Sequence, residues 1–159
     1  MRQAANVTGC GVALGAAVML MGITAAQPGT SGLLAYEVVG DAVPEPLGGL
    51  AGDPGRGKEI VLDRRRGNCL ICHAIPVEGE DFQGEIGPAL GRVGARLSAG
   101  QIRLRLIDPS RLNPETLMPA YYRIDGLNEV APEYAGKPVL SAQEIEDVVS
   151  YLASQVSER

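Results

Sequence analysis

The clearest hydrophobic pattern of the chain lies near its C-terminus. Apolar side chains recur there at intervals of three and four residues, at Ile145, Val148, Val149 and Leu152. This spacing predicts an amphipathic helix, and Ser141 with Glu144 forms a capping box at its start. Glu144, Glu146 and Asp147 are expected to face away from the apolar stripe, where negative charge suits the N-terminal end of the helix dipole.

A second helix is predicted from residue 54. Asp53 is suited to the N-cap and Pro54 to the first helical position. The helix should run to about Arg66 and end at Gly67-Asn68. The triplet Arg64-Arg65-Arg66 then complements the helix C-terminus, and we interpret it as a solvated helix end rather than a docking patch.

A third helix is predicted between the other two. Ser98 and Gln101 form another capping box. The helix should end at Asp108, because Pro109 disfavours helical geometry in the residue before it. Its apolar face carries Ile102 and Leu106. Arg103 is expected to point elsewhere.

The remaining segments are rich in glycine and proline and are predicted to be loops. Residues 74–97 and 109–140 show no helical period, and residues 27–53 form an extended lead-in in which only Leu33 to Val39 has strand-like character. No internal repeat is present. The expected fold class is therefore all-α, with three main helices separated by long loops.

Residues 1–26 have the pattern of a secretory signal peptide. A weakly positive start precedes an almost entirely small or apolar run from Gly11 to Ile23, and Thr24-Ala25-Ala26 supplies small residues for cleavage after Ala26. An uncleaved membrane anchor is the alternative, but the run is shorter than the ~20 residues that span a bilayer. Cys10 precedes the apolar run and is treated as incidental. After cleavage no membrane association is expected.

Charge and composition exclude two classes of partner and indicate how the core is built. Without Arg2, 13 Lys and Arg remain against 19 Asp and Glu, a formal charge of −6. This balance argues against nucleic acid and against anionic membrane surfaces as partners. The chain has no Trp and one Phe, so a loop-rich domain of 133 residues has few large side chains for a core. An enclosed apolar cofactor would help to stabilise it.

The sequence Cys69-Leu70-Ile71-Cys72-His73 is a Cys-x-x-Cys-His motif, which is typical of covalent attachment of haem c. Its two thiols add to the haem vinyl groups, and the adjacent imidazole binds iron. A zinc half-site is one alternative, but it needs about four ligands, and Cys69, Cys72 and His73 are the only cysteines and histidine beyond the signal. A thioredoxin-like pair would follow a strand, whereas this motif follows a predicted helix.

The second axial ligand of the iron is inferred by exclusion. His73 is the only histidine, and Met118 is the only methionine outside the predicted signal. Pro119 holds the backbone of Met118 extended, so this side chain can reach over the open face of a haem. Lys58, Lys137, a tyrosine or water are the alternatives, and Met118 could instead fill the core. Ligation by His73 and Met118 favours electron transfer.

Other candidates around the haem depend on spacing alone. Gly87-Pro88-Ala89-Leu90 lies 15 residues beyond His73, and a metal-bound histidine usually donates its other ring N–H to a fixed acceptor. The carbonyl of Pro88 is the candidate acceptor, and an ordinary turn is the alternative. Three side chains are candidates for hydrogen bonds to the haem propionates: Arg96, Tyr121 and Tyr122.

These residues also carry a family resemblance. The order of helix, Cys-x-x-Cys-His, Gly-Pro-x-Leu, Met-Pro and terminal helix resembles class I cytochrome c. More closely, the chain resembles SoxX, the small haem subunit of the SoxAX complex of bacterial thiosulfate oxidation. The matching stretches include residues 39–47, 67–76, 84–88, 108–122, 126–128 and 135–152. The resemblance implies a cytochrome c domain over residues 54–159 that follows the extended segment 27–53.

The resemblance implies a role in sulfur oxidation. A SoxX chain is a periplasmic subunit that forms a heterodimer with a dihaem or monohaem SoxA chain. The complex couples thiosulfate to a cysteine of the SoxYZ carrier, an L-cysteine S-thiosulfotransferase reaction whose chemistry occurs at a cysteine-ligated haem of SoxA. The SoxX haem, here ligated by His73 and Met118, takes up electrons and passes them to a downstream acceptor, so no catalytic residue is expected in this chain.

Two other functions remain open from the sequence. One is a free-standing periplasmic electron shuttle that has no obligate catalytic partner. The other is a haem-based ligand sensor, which requires an open site on the Met118 side. The specific segment Asn113-Pro114-Glu115-Thr116-Leu117-Met118-Pro119-Ala120-Tyr121-Tyr122 favours the SoxAX subunit.

Overall fold

Four α-helices form the framework of residues 32–157, the part of the chain that the computed structural model describes. They are α1 (Pro54–Leu62), α2 (Val93–Arg96), α3 (Ala99–Ile107) and α4 (Ala142–Ala153). Within this part there is no strand, and Val39 and Ala42 form only an isolated bridge. The prediction of an all-α fold with three main helices and long loops is therefore confirmed. The predicted signal peptide lies outside the described residues.

The helix starts follow the predicted capping residues. The side chain of Asp53 accepts from the Arg56 N–H at the start of α1. Both capping boxes form: the hydroxyl of Ser98 accepts from the backbone of Gln101 before α3, and Ser141 with Glu144 repeats the arrangement before α4. Such caps satisfy N–H groups that have no partner within the helix.

The predicted end of α1 is wrong by four residues, because the helix stops at Leu62 rather than near Arg66. Asp63 adopts an extended conformation, and its side chain accepts from the N–H of Arg65 while its carbonyl accepts from Asn68. A short polar side chain that bonds the backbone ahead of it favours a turn over a helix. Residues 64–67 are consequently a turn.

Three short elements lie where only loop was predicted. The single turn of α2 falls within residues 74–97, and 3-10 turns occupy Pro109–Arg111 and Pro132–Tyr134. One-turn elements carry too few residues to show a helical period in the sequence.

Helix α4 forms the centre of the core, where it packs against both α1 and α3. Its predicted apolar face is buried at Ile145, Val148, Val149 and Leu152. Gly57 allows α1 to approach closely, since a Cβ at this position would lie 2.0 Å from the carbonyl oxygen of Asp147. Any larger residue there would push the two helices apart.

Three charged residues of α3 and α4 are buried. Arg103, Glu146 and Asp147 expose 3%, 3% and 2% of their surfaces, so the outward orientation predicted for Glu146 and Asp147 is wrong. Arg103 makes two 2.8 Å hydrogen bonds to Glu146, from Nε to Oε1 and from Nη2 to Oε2. Arg56 pairs with Asp147 in the same bidentate way, also at 2.8 Å. Burial is tolerated because each carboxylate has a guanidinium partner.

The lead-in packs onto these buried charged residues instead of forming a strand. Val43 and Leu47 are each 1% exposed and belong to the core. The Leu47 N–H donates to Oε1 of Glu146 at 2.9 Å, and the Asp53 N–H donates to Oδ1 of Asp147 at 2.7 Å. Residues 43–53 are thus attached to α4 by their backbone.

Replacing Glu146 by alanine is expected to lower the free energy of unfolding by about 3–5 kcal/mol, because the substitution leaves Arg103 buried without its counter-charge. Urea denaturation measures this change. Glu80→Ala is the matched control, since Glu80 pairs with Arg64 on the surface, and its loss should cost about 0–1 kcal/mol. Equal effects of the two substitutions would contradict the importance of the buried pair.

Candidate functional site

The two thiols of the Cys-x-x-Cys-His motif lie within one helical turn. A 3-10 turn spans Cys69–Ile71, and the carbonyl of Cys69 accepts from the N–H groups of Cys72 and His73 at 3.1 and 2.9 Å. The turn starts at Asn68, whose left-handed φ of 49° reverses the chain after α1. This compact geometry presents both sulfurs and the imidazole from a few adjacent residues.

Both thiols are free, and their surroundings differ. Cys69 is buried while Cys72 is partly exposed. Burial raises the pKa of the Cys69 thiol to about 11, although a hydrogen bond with Tyr121 partly offsets this effect. The thiol is therefore protonated at neutral pH.

The imidazole of His73 is held by a backbone carbonyl. Its Nδ1 lies 2.7 Å from the carbonyl oxygen of Pro88, which is the acceptor considered from the spacing. With Nδ1–H donated to this oxygen, Nε2 is the ring nitrogen that carries the lone pair for a metal. The carbonyl thereby fixes both the tautomer and the ring orientation.

Gly87 lies directly against the ring of His73. A Cβ at this position would lie 2.3 Å from Cε1 of the imidazole and 2.6 Å from Nδ1. Atoms in real proteins do not approach so closely, so only glycine leaves room for the ring in this orientation. Gly87 was noted in the sequence as part of a Gly-Pro turn, and the turn pattern itself carries no sign of this contact.

Met118 lies on a different loop, between α3 and α4. Its side chain is half-buried and packs against the core, and its N–H donates to the hydroxyl of Thr116 at 3.2 Å. Beyond it, the Tyr121 and Tyr122 N–H groups donate to the carbonyls of Leu106 and Ile107 at the end of α3. The structure thus brings Cys69, Cys72, His73 and Pro88 together, and it holds the Met118 loop at the end of α3.

The three side chains considered for haem propionates bond to the backbone of their own chain. Tyr121 donates its hydroxyl hydrogen to the Gly67 carbonyl at 2.8 Å, and the Tyr122 hydroxyl accepts from the Leu34 N–H at 2.8 Å. Arg96 donates to the Ala89 and Gly91 carbonyls at 2.7 and 3.1 Å. Through Tyr121, the Met118 loop is tied to the residue two positions before Cys69.

One contributor to the site carried no signal in the sequence. The carboxamide of Gln83 bonds both backbone groups of Ile75, two residues beyond His73. Glutamine in a glycine-rich loop matches no motif, so only the structure reveals this contact.

The donor set fits a covalently attached haem better than a bare metal ion. In residues 32–157 no three side chains of His, Cys, Asp or Glu come together to hold a metal ion. The zinc interpretation therefore gains no ligand group from the described part of the chain. Two free thiols beside an imidazole with a fixed tautomer suit thioether attachment and one axial bond to iron.

The comparisons with known proteins give one solved structure to report. A chain of the crystal structure of SoxXA from P. pantotrophus is 33% identical and superposes with a TM-score of 0.71, with the match covering 77% of this chain and 95% of that chain. No protein-family model matches, and no curated protein matches.

Replacing Gly87 by alanine is expected to displace the His73 ring and break its hydrogen bond to Pro88. Overpacking of this kind costs about 1–3 kcal/mol of folding free energy. Because the chain contains one histidine, ¹⁵N-histidine labelling reports its single imidazole without further assignment. Gly32→Ala is the control, since nothing lies within 4 Å of a Cβ there. An unchanged imidazole spectrum in Gly87→Ala would contradict the tight contact.

Proposed function

Since this chain belongs to the SoxX family and has the class I cytochrome c fold, we propose that it is the mono-haem electron-transfer subunit of a periplasmic SoxAX-type complex. The observation that carries the proposal is the match over 95% of a SoxXA chain at 33% identity. The geometry around Cys69, Cys72 and His73 agrees with this role, because it supplies the attachment and ligation chemistry of a haem c.

In this proposal, Cys69 and Cys72 would hold one haem c by thioether bonds and His73 would be a ligand of its iron. The haem, when bound, supplies one-electron redox chemistry. The chain itself orients the imidazole through the Pro88 carbonyl 2.7 Å from Nδ1. A hydrogen bond of this kind makes the imidazole a stronger donor to iron.

Met118 is proposed as the second axial ligand. The support is the ligand count, because no other histidine exists and the remaining methionines lie within residues 1–26. Support also comes from the half-buried side chain, which sits on a loop that Tyr121 ties to the Cys69 segment. A thioether ligand raises the reduction potential relative to harder ligands and fills the position that a small molecule would need.

The proposed reaction is the oxidative coupling of thiosulfate to a carrier cysteine. The carrier thiol, on SoxYZ, forms a sulfur–sulfur bond to thiosulfate with release of two electrons and a proton. Beyond Cys10, this chain has only Cys69 and Cys72, and haem attachment uses both. The bond-forming chemistry is therefore assigned to the partner SoxA chain, and this chain accepts electrons and passes them to a downstream acceptor.

The periplasmic location is proposed from residues 1–26, which we interpret as a signal peptide cleaved after Ala26. None of the helices in the described residues is long and apolar enough to cross a membrane.

Purification of the tagged chain from its native periplasm is expected to recover a SoxA-like cytochrome in equal amount. One haem should remain attached to this chain after denaturation, since thioether bonds survive unfolding. A Cys69→Ser, Cys72→Ser double variant is the control and should carry no covalent haem. A monomer that carries haem but no partner would instead favour the free-standing electron shuttle.

Replacing Met118 by alanine is expected to abolish the weak sulfur-to-iron absorption band of the oxidised protein and to lower its reduction potential, because the thioether ligand is lost. Leu117→Ala is the matched control, since the neighbouring Leu117 is 82% exposed and should leave the band in place. Oxidised wild-type protein that lacks the band would rule out ligation by Met118.

A further inference from the structure

A loop segment runs alongside the motif that carries the two thiols and the imidazole. We call residues 83–91 the flanking segment. Three of its N–H groups donate to carbonyls of the motif region: Gly84 to Leu70 at 2.8 Å, Gly87 to Cys72 at 2.7 Å and Leu90 to Ala74 at 2.8 Å. The Pro88 carbonyl that lies against His73 belongs to this segment, so the register of the segment decides where that oxygen lies.

Gln83 fixes the first end of the flanking segment. Its Oε1 accepts from the Ile75 N–H at 2.5 Å, and its Nε2 donates to the Ile75 carbonyl at 3.0 Å and to the Glu80 carbonyl at 2.7 Å. Ile75 is 3% exposed. One carboxamide thus bonds both backbone groups of a buried residue. The Ile75 carbonyl also accepts from the Val77 N–H at 2.8 Å, so the Ile75 N–H is the group that depends on Gln83, and leaving it unpaired would cost free energy.

Arg96 fixes the other end of the flanking segment. Its Nη2 donates to the Ala89 carbonyl at 2.7 Å, and its Nη1 donates to the Gly91 carbonyl at 3.1 Å. The planar guanidinium therefore spans the carbonyls of the first and third residues after Pro88, in a fork geometry that a lysine cannot reproduce. Arg96 lies in the last turn of α2, so its guanidinium extends from a helix rather than from a loop.

We propose that Gln83 and Arg96 are positioning residues that hold the flanking segment from its two ends and so keep the Pro88 carbonyl on Nδ1 of His73. This inference deepens the proposed function and rests on it, since His73 must be an iron ligand for the position of Pro88 to affect the iron. The two side chains touch neither the imidazole nor the thiols in any hydrogen bond of the structure, so their effect passes through the backbone.

The physical consequence concerns the balance between oxidised and reduced iron. A carbonyl that accepts from Nδ1–H increases the electron donation of the imidazole, which stabilises the ferric state. A looser flanking segment weakens this hydrogen bond. The reduced state then becomes more populated at a given ambient potential.

The test uses the full haem-loaded protein with the variants Gln83→Ala and Arg96→Lys. The lysine keeps the positive charge but loses the fork. Each variant should shift the ratio of reduced to oxidised protein upward by about threefold. Each should also speed solvent exchange of the His73 Nδ1–H in the reduced protein by about tenfold, which ¹⁵N-histidine labelling measures on the single imidazole.

Two control variants remove equivalent contacts elsewhere. Gln143→Ala removes a carboxamide that donates to the Ala51 carbonyl and to Oδ1 of Asp147. Arg105→Lys removes a guanidinium contact to the Gln101 carbonyl. Both should leave the potential and the exchange rate at wild-type values. Controls that change both quantities as much as the test variants would overturn the proposal.

The remaining outcomes also decide the question. If Gln83→Ala yields no haem-loaded protein, Gln83→Met keeps the length of the side chain and takes its place. An unchanged reduction potential and an unchanged Nδ1–H exchange rate in both test variants would overturn the proposal. Failure of haem attachment in both glutamine variants would also overturn it, because Gln83 would then have a role in folding alone. Wild-type protein without covalent haem would overturn the proposed function and this inference together, and it is recognised before any variant is measured.

Discussion

Two neighbouring buried carboxylates on α4, Glu146 and Asp147, hold the described part of the chain together. Glu146 binds Arg103 of α3 and the backbone of the lead-in, while Asp147 binds Arg56 of α1 and the residue before that helix. Two adjacent residues on a helix point to different sides of it, so they can serve different neighbours. The core has few aromatic side chains, and these ion pairs supply directional contacts that a small apolar core lacks.

This arrangement determines where the candidate site lies. Because α1 packs against α4, the end of α1 at Leu62 has a fixed position. The turn that begins at Asp63 then leads the chain to Cys69. The hydroxyl of Tyr121 then ties the loop of Met118 to Gly67. The two loops that carry the proposed iron ligands are thus joined by a hydrogen bond that needs no cofactor.

Local signals in the sequence were sufficient for the helix starts and for the motif. Ser98, Ser141 and Pro54 act through contacts within a few residues, and so does the spacing of Cys69 and Cys72. The predictions failed at Glu146 and Asp147, because these carboxylates were expected to face outward while their guanidinium partners lie 43 and 91 residues away in the chain. The contacts of Gln83 and Arg96 were missed for a different reason: both side chains bond nearby backbone groups, which no side-chain pattern in the sequence identifies.

The attachment of the lead-in to α4 has a consequence for the order in which the chain folds. Leu47 and Asp53 bond to residues 99 and 94 positions later, and contacts of such long sequence separation form late and slowly. Their partners lie on α4, which follows the motif in the chain. The lead-in therefore cannot dock before α4 is in place, and the segment that carries Cys69 and Cys72 is enclosed between two elements that meet only at that late stage.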